Sequence, residues 1–130
     1  MPGKQQAVLN GKHLTDFVVQ LAAYLGLDCR TEVRVGRRLW GAVRRIDVVL
    51  TEATTRRTLG IECKFQGSTG SAEEKIPATI SDIAAWPIPG IVVFGGAGFS
   101  ANMRMYLISS GKAVEVDDLE DWLRLYFGIS

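Results

Sequence analysis

The sequence has little of the chemistry from which disulfide frameworks and soft-metal sites are built: its 130 residues include two cysteines, Cys29 and Cys63, and one histidine, His13. Two thiols outside any C-x-x-C pair exclude a disulfide scaffold and a thiolate zinc site. A lone histidine excludes a histidine-rich metal centre, and His13 reads first as a side chain on a helix surface. No stretch approaches the roughly 18 apolar residues of a membrane-crossing helix. The opening MPGKQQAVLNGKH has no long apolar run of the kind an export signal carries. The expectation is a soluble, cytoplasmic protein with reduced thiols and no membrane partner. Charge of one sign is also missing: the formal net charge is +1, so no whole-molecule polycation draws the chain to nucleic acid.

What is present is the material for a core. Hydrophobic residues make up 47% of the chain, enough for one domain over 1–130. The charges are unevenly placed. Arg30, Arg34, Arg37, Arg38, Arg44 and Arg45 face a single acid, Glu32, whereas Glu115, Asp117, Asp118, Glu120 and Asp121 crowd the tail. The arginine group, with Trp40 inside it, suits phosphate contacts and stacking; an ordinary charged hairpin is the plainer reading.

Periodicity gives the element order. GKHLTDFVVQLAAYLG places Leu14, Phe17, Val18, Leu21 and Leu25 at helical spacing and ends at Gly26. CRTEVRVG, RRIDVVLTEA and TLGIECKFQ read as three strands of an antiparallel meander, with TTRR as a turn. GSTGS is a loop. SAEEKIPATISDIAAW is a second helix, opened by Ser71 with Glu74 at capping-box spacing or starting near Ile76 because of Pro77. GIVVFGG is apolar throughout and predicts a strand covered on both faces, central in the sheet. SANMRMYLISSG, AVEVD and DLEDWLRLYFG predict a helix, a strand and a closing helix capped by Asp117 or Asp118. The class is α/β: a mixed central sheet flanked by helices.

The chemistry concentrates at IECKFQ, residues 61–66. Strand alternation puts Glu62, Lys64 and Gln66 on one face and Ile61, Cys63 and Phe65 on the other. The preceding strand carries Asp47, and a tight turn sets its carboxylate beside Glu62. Converging carboxylates repel and favour a cation between them. Oxygen ligands select a hard ion, and magnesium, which uses one or two carboxylates and keeps several waters, leaves room for a phosphate oxygen and an attacking water. The Cys63 backbone carbonyl is a further candidate ligand. Lys64 would stand by that water and offset charge developing on phosphorus oxygens.

RRIDVVL followed by LGIECKFQ resembles the PD-(D/E)XK nuclease superfamily, in which an acid on one strand and an E-x-K triplet on the next form the centre. The resemblance covers roughly Gly11 to Gly95 in its helix, meander, helix, strand order. It implies a restriction-endonuclease-like fold with an α-β-β-β-α-β core, Asp47 and Glu62 as ligands of Mg2+ or Mn2+, and Lys64 serving the nucleophile. Gln66 matches the glutamine two positions past the lysine in several branches, including resolvase-like and exonuclease-like ones. Asp16, with His13 one turn earlier, is the nearest match to the acid that many members carry on the first helix. Ile46 stands where the motif has proline. GSTGSAEEKIP looks like the loop and helix after the triplet in some restriction-endonuclease-like and phage-borne members, which would bring Lys75 or Glu74 near the site.

Plainer readings stand beside these. Glu62 and Lys64 can be solvated partners on an outer face, Asp16 a solvated helix acid, and Lys75 and Glu74 surface or capping residues. Asp47 resists that reading, because an acid among RIDVVL is partly covered and an unpartnered carboxylate there is costly. Trp86 and Trp122 read as core. The glycines of FGGAGFS lack a phosphate-loop lysine and read as a turn. The expectation is a metal-dependent deoxyribonuclease, an endonuclease on duplex or branched DNA. Asp47, Glu62, Lys64 and Gln66 form its site, and Arg34, Arg37, Arg38, Arg44 and Arg45 hold the backbone. A homodimer through YLISS and WLRLYFGIS is expected, with DNA shape or a partner protein supplying specificity. The competing class is a non-catalytic DNA-binding or assembly module on the same fold; a third is a structural α/β domain with accidental polar neighbours.

Overall fold

Helical spacing of apolar residues makes a helix only if its first turn is satisfied, and Asn10 does this: its side chain accepts the His13 N–H at 2.9 Å. The structure is a computed structural model, in which residues 10–37, 43–67 and 75–130 are described. Helix α1 (Gly11–Tyr24) buries Leu14, Phe17, Val18 and Leu21. The chain leaves it through Gly26 at φ +75°, a conformation that glycine adopts without strain.

Strands β1 (Asp28–Arg37), β2 (Val43–Thr51) and β3 (Thr58–Phe65) form the expected antiparallel meander. At the β2–β3 turn the Glu52 carboxylate accepts the Thr55 N–H at 2.6 Å and its hydroxyl at 3.0 Å. That bonding holds the Glu52 carboxyl below its usual range. Helix α2 (Ile76–Ala84) opens with Pro77 in its first turn, the later of the two predicted starts. The Ser71 and Glu74 capping box lies outside the described residues. Then follow β4 (Gly90–Gly95), α3 (Ala101–Ser109), β5 (Ala113–Glu115) and α4 (Leu119–Phe127).

Among the described residues the five strands lie in the order β1-β2-β3-β4-β5, with β4 parallel to both its neighbours. Strand β4 is covered on both faces, as its unbroken apolar run requires. Ile91 and Val93 join α1 and α4 in one cluster, and Val92 and Phe94 join Ile76 and Ile83 of α2 and Leu107 of α3 in the other. The described residues form a mixed sheet between two pairs of helices.

Two local expectations are corrected at the acidic tail. AVEVD is not a strand throughout, because Val116–Asp118 form a 3-10 turn. Asp118 stands before α4 but is already in a helical conformation (φ −98°, ψ −1°) and makes no side-chain cap. An N-cap needs an extended backbone to swing its oxygen over the next N–H groups, and the 3-10 turn removes that freedom.

Candidate active site

Pairing with β4 fixes where the polar face of β3 points. Glu62 lies beside Val92 and Lys64 beside Phe94, both in the cluster on the α2 side of the sheet. Alternation then sends Ile61, Cys63 and Phe65 toward α1. Strand β2 departs from that rule at one point. Val48 and Leu50 pack toward α1, while Ile46, two residues from Val48, packs toward α2. Regular alternation cannot send residues two apart to opposite faces. The register with β1 is the same on either side, Thr31 with Val48 and Val33 with Ile46, so no residue is inserted. Between them Glu32 takes φ +51°, a left-handed conformation uncommon outside glycine. Asp47 sits opposite that kink, and β2 changes face there.

The β2–β3 ladder runs from Thr51 with Thr58 to Val48 with Ile61; one step on, the strands present Asp47 and Glu62 to each other. There the Asp47 Oδ2 accepts the Cys63 N–H at 2.9 Å, so the side chain takes up the amide where the ladder ends. Burial first, then the Asp47 charge, push Glu62 up to about 7; Lys64 opposes the rise and Asp82 adds a little to it. Lys64 Nζ stands 3.7 Å from Glu62 Oε2, with the two side chains 31% and 22% exposed. Two acids and an adjacent ammonium therefore come together in a half-buried place.

Glu62 and Lys64 form one wall of a cavity of about 400 Å³, and Lys75, Ala78, Thr79, Asp82 and Trp86 form the other. The stripe Lys75, Thr79, Asp82, Trp86 along α2 and its two ends runs at steps of four, three and four, so one helix face meets Glu62 and Lys64. Of these, the sequence reading brought only Lys75 near the site and left Trp86 in the core; Thr79 and Asp82 were missed. The helical stripe following the E-x-K strand was the signal available. Trp86 is core as well, since its ring lies over Gly60 and Gly90, where a Cβ would come within 2.8 and 2.4 Å of it.

Gln66 does not stay with its neighbours. It is 5% exposed, its Nε2 donates to the Gly98 carbonyl at 2.9 Å, and its backbone carbonyl accepts the Gly98 N–H at 2.7 Å. It clasps the loop after β4, which Arg104, missed in the sequence, also holds through the Gly96 carbonyl at 2.7 Å and an ion pair with Glu115. Asp16 is half-exposed and bound to Lys12 at 3.0 Å, and it does not line the cavity. Arg34 and Arg45 are exposed and lie opposite each other across β1 and β2. Arg44 is not exposed in that way: its Nε donates to Asp82 Oδ1 at 3.0 Å, both side chains being about one-fifth exposed. Arg38, Trp40, Glu74 and the side chain of Arg37 lie outside the described residues.

The donor set fits a hard divalent cation. Among the described residues no group of three or more histidine, cysteine or acidic side chains is arranged to hold a metal. Two neighbouring carboxyls, the Asp47 charge raising Glu62, offer a place where a cation can stand in for the Glu62 proton, and magnesium needs no more than one or two such ligands from the protein. In a strand the N–H and C=O of a residue leave on the same side. The Cys63 N–H meets Asp47, so the Cys63 carbonyl faces the same edge. The Cys63 thiol points the other way, where burial pushes it up to about 12.

A family model described as a PD-(D/E)XK nuclease superfamily domain matches residues 5–124. Two solved structures share the fold. One is titled a protein of unknown function, AF1548, with a TM-score of 0.53 at 20% identity, covering 78% of this chain and 57% of that one. The other is protein VC1899 from Vibrio cholerae, with a TM-score of 0.51 at 17% identity, covering 92% of this chain and 33% of that one. The chain thus spans little over half of the first and a third of the second. No curated protein matched it.

Proposed function

The chain belongs to the PD-(D/E)XK nuclease superfamily, and from that premise we propose that it is a metal-dependent deoxyribonuclease, an endonuclease on duplex or branched DNA. One observation carries the reading: Asp47 and Glu62 face each other where the β2–β3 ladder ends, and Glu62 lines an open cavity with the Lys64 ammonium 3.7 Å away. A structural strand has no use for two acids held together at that cost.

Asp47, Glu62 and the Cys63 carbonyl would hold Mg2+ or Mn2+. When bound, that ion polarises a phosphoryl oxygen and lowers the pKa of water. The protein's own groups do the rest. Glu62, released from its proton, presents a full carboxylate. Lys64 orients the nucleophile and offsets charge on the phosphorus oxygens. Asp47, fixed by the Cys63 N–H, cannot turn away from its partner. Gln66 acts at one remove, by holding the loop after β4 against the end of β3. Arg34 and Arg45 meet the phosphate backbone and carry little sequence information. Specificity then comes from DNA shape or from a partner protein. A homodimer would set two sites on one duplex or junction, with exposed Met105 and Ile108 of α3 and Leu125 of α4 as contact residues.

Supercoiled plasmid, linear duplex, single strands and branched DNA, each with Mg2+, Mn2+ or chelator, test the reading. Cutting with metal that falls at least about 100-fold in both Glu62→Ala and Lys64→Ala, with the fold intact by circular dichroism, is expected. Metal-independent binding without cutting on any substrate would instead make the chain a non-catalytic DNA-binding module.

A further inference from the structure

The Arg44–Asp82 pair is a polar link between α2 and β2, whose Ile46 and Val49 share an apolar cluster with Ile76 and Ile83 of the helix. Helix α2 meets the sheet mainly at β4, where Ile76, Ile83 and the neighbouring Trp86 pack with Val92 and Phe94. Arg44 reaches it from β2, two strands away in the sheet order. That reach depends on the kink at Asp47. Had β2 kept the alternation set by Val48 and Leu50, Ile46 and Arg44 would both point toward α1. Because the face changes, Ile46 enters the α2-side cluster and Arg44 meets Asp82 at 3.0 Å. The irregularity beside Asp47 thus turns Arg44 toward the helix that forms the far wall of the cavity.

Asp82 lines that cavity with Glu62 and Lys64. A carboxylate there repels an incoming phosphodiester, and the Arg44 guanidinium beside it offsets that charge. We propose that Arg44 is a positioning residue: paired with Asp82 it sets α2 as the second wall of the cleft and keeps that wall admissible to a polyanion, without itself contacting phosphate. The inference rests on the nuclease reading for its substrate, whereas the strut itself does not.

Two measurements separate these parts. Thermal unfolding of Arg44→Ala, Asp82→Ala and the double variant reads the strut without DNA. Each single change is expected to lower Tm by about 3–6 °C, with the double variant no worse than the worse single one. Additive losses would overturn the strut. With DNA, Arg44→Ala is expected to raise KM about tenfold with a smaller fall in kcat, while the salt slope of DNA binding, measured with chelator, stays at the wild-type value. Asp82→Asn placed on top of Arg44→Ala should bring KM back to within about threefold of wild type, because the negative charge facing the cavity is gone. A phosphate-contacting arginine behaves otherwise: its loss lowers the salt slope by about one and Asp82→Asn does not rescue it. That result would overturn the proposal. Coupled Tm losses in a wild-type protein that neither binds nor cuts DNA would support the strut and overturn the nuclease reading.

Discussion

Glu62 is the residue on which folding and chemistry pull in opposite directions. Its carboxyl is raised to about 7 by burial and by Asp47, so between about 4.5 and 7 the folded chain holds a proton that the unfolded chain has released. Stability therefore falls as pH rises through that window and levels off above it, by on the order of 3 kcal/mol in all. In metal-free buffer at pH 8, Glu62→Gln should raise Tm by a few degrees and flatten its pH dependence over that range, while abolishing cleavage. Mn2+ should stabilise the wild type at pH 8 and leave the variant unmoved; thermal denaturation with and without the ion reads both. Cys63, one residue on, faces the opposite way, and its thiol is raised to about 12 by burial. Since the thiolate is the reactive form, alkylation at pH 8 should be at least about 100-fold slower in the folded chain than in denaturant. Mass spectrometry of the Cys63 peptide after timed labelling gives that ratio.

At the scale of elements, the cleft depends on how closely α2 and the loop after β4 approach the sheet. Gly60 and Gly90 leave the space that the Trp86 ring fills, and a Cβ at Gly90 would stand 2.4 Å from that ring. Gly90→Ala should cost about 1–3 kcal/mol through overpacking. Trp86→Leu in the same chain should return part of that loss, which urea unfolding of the two variants would show. The loop is tighter still. Gly96 has φ +97°, and a Cβ there would lie 2.3 Å from the Gln66 carbonyl oxygen, which is backbone and cannot step aside. Gly96→Ala is expected to open the Gln66–Gly98 clasp and release amide protection at the end of β3, measured by hydrogen exchange.

At the scale of the whole molecule, the described residues form two apolar clusters on either side of one sheet, and a few of their large apolar side chains remain outside the core. Leu125 is 86% exposed, Met105 70% and Ile108 64%. If they meet a second copy, sedimentation of the wild type should show a dimer at micromolar concentration and Ile108→Asp a monomer with an unchanged fold. A wild-type monomer would remove the dimer from the functional reading and leave its catalytic part intact. Among the described residues no helix is long and apolar enough to cross a membrane.

The sequence by itself determined the elements, their order and the face on which Glu62 and Lys64 stand, because hydrophobic period and turn residues act over a few positions and are written locally. It also put Asp47 on the strand next to Glu62, since the TTRR turn sets the pairing. Only the tertiary structure decided the rest. The kink opposite Glu32 reverses the face of β2 and so draws Arg44 to Asp82. The approach of α2 brings Thr79, Asp82 and Trp86 to the cavity. The loop after β4 takes Gln66, whose spacing alone had left it with Glu62 and Lys64. Each of these is a contact between segments distant in the chain, fixed by how sheet and helices pack, and no local pattern of residue types encodes such a distance.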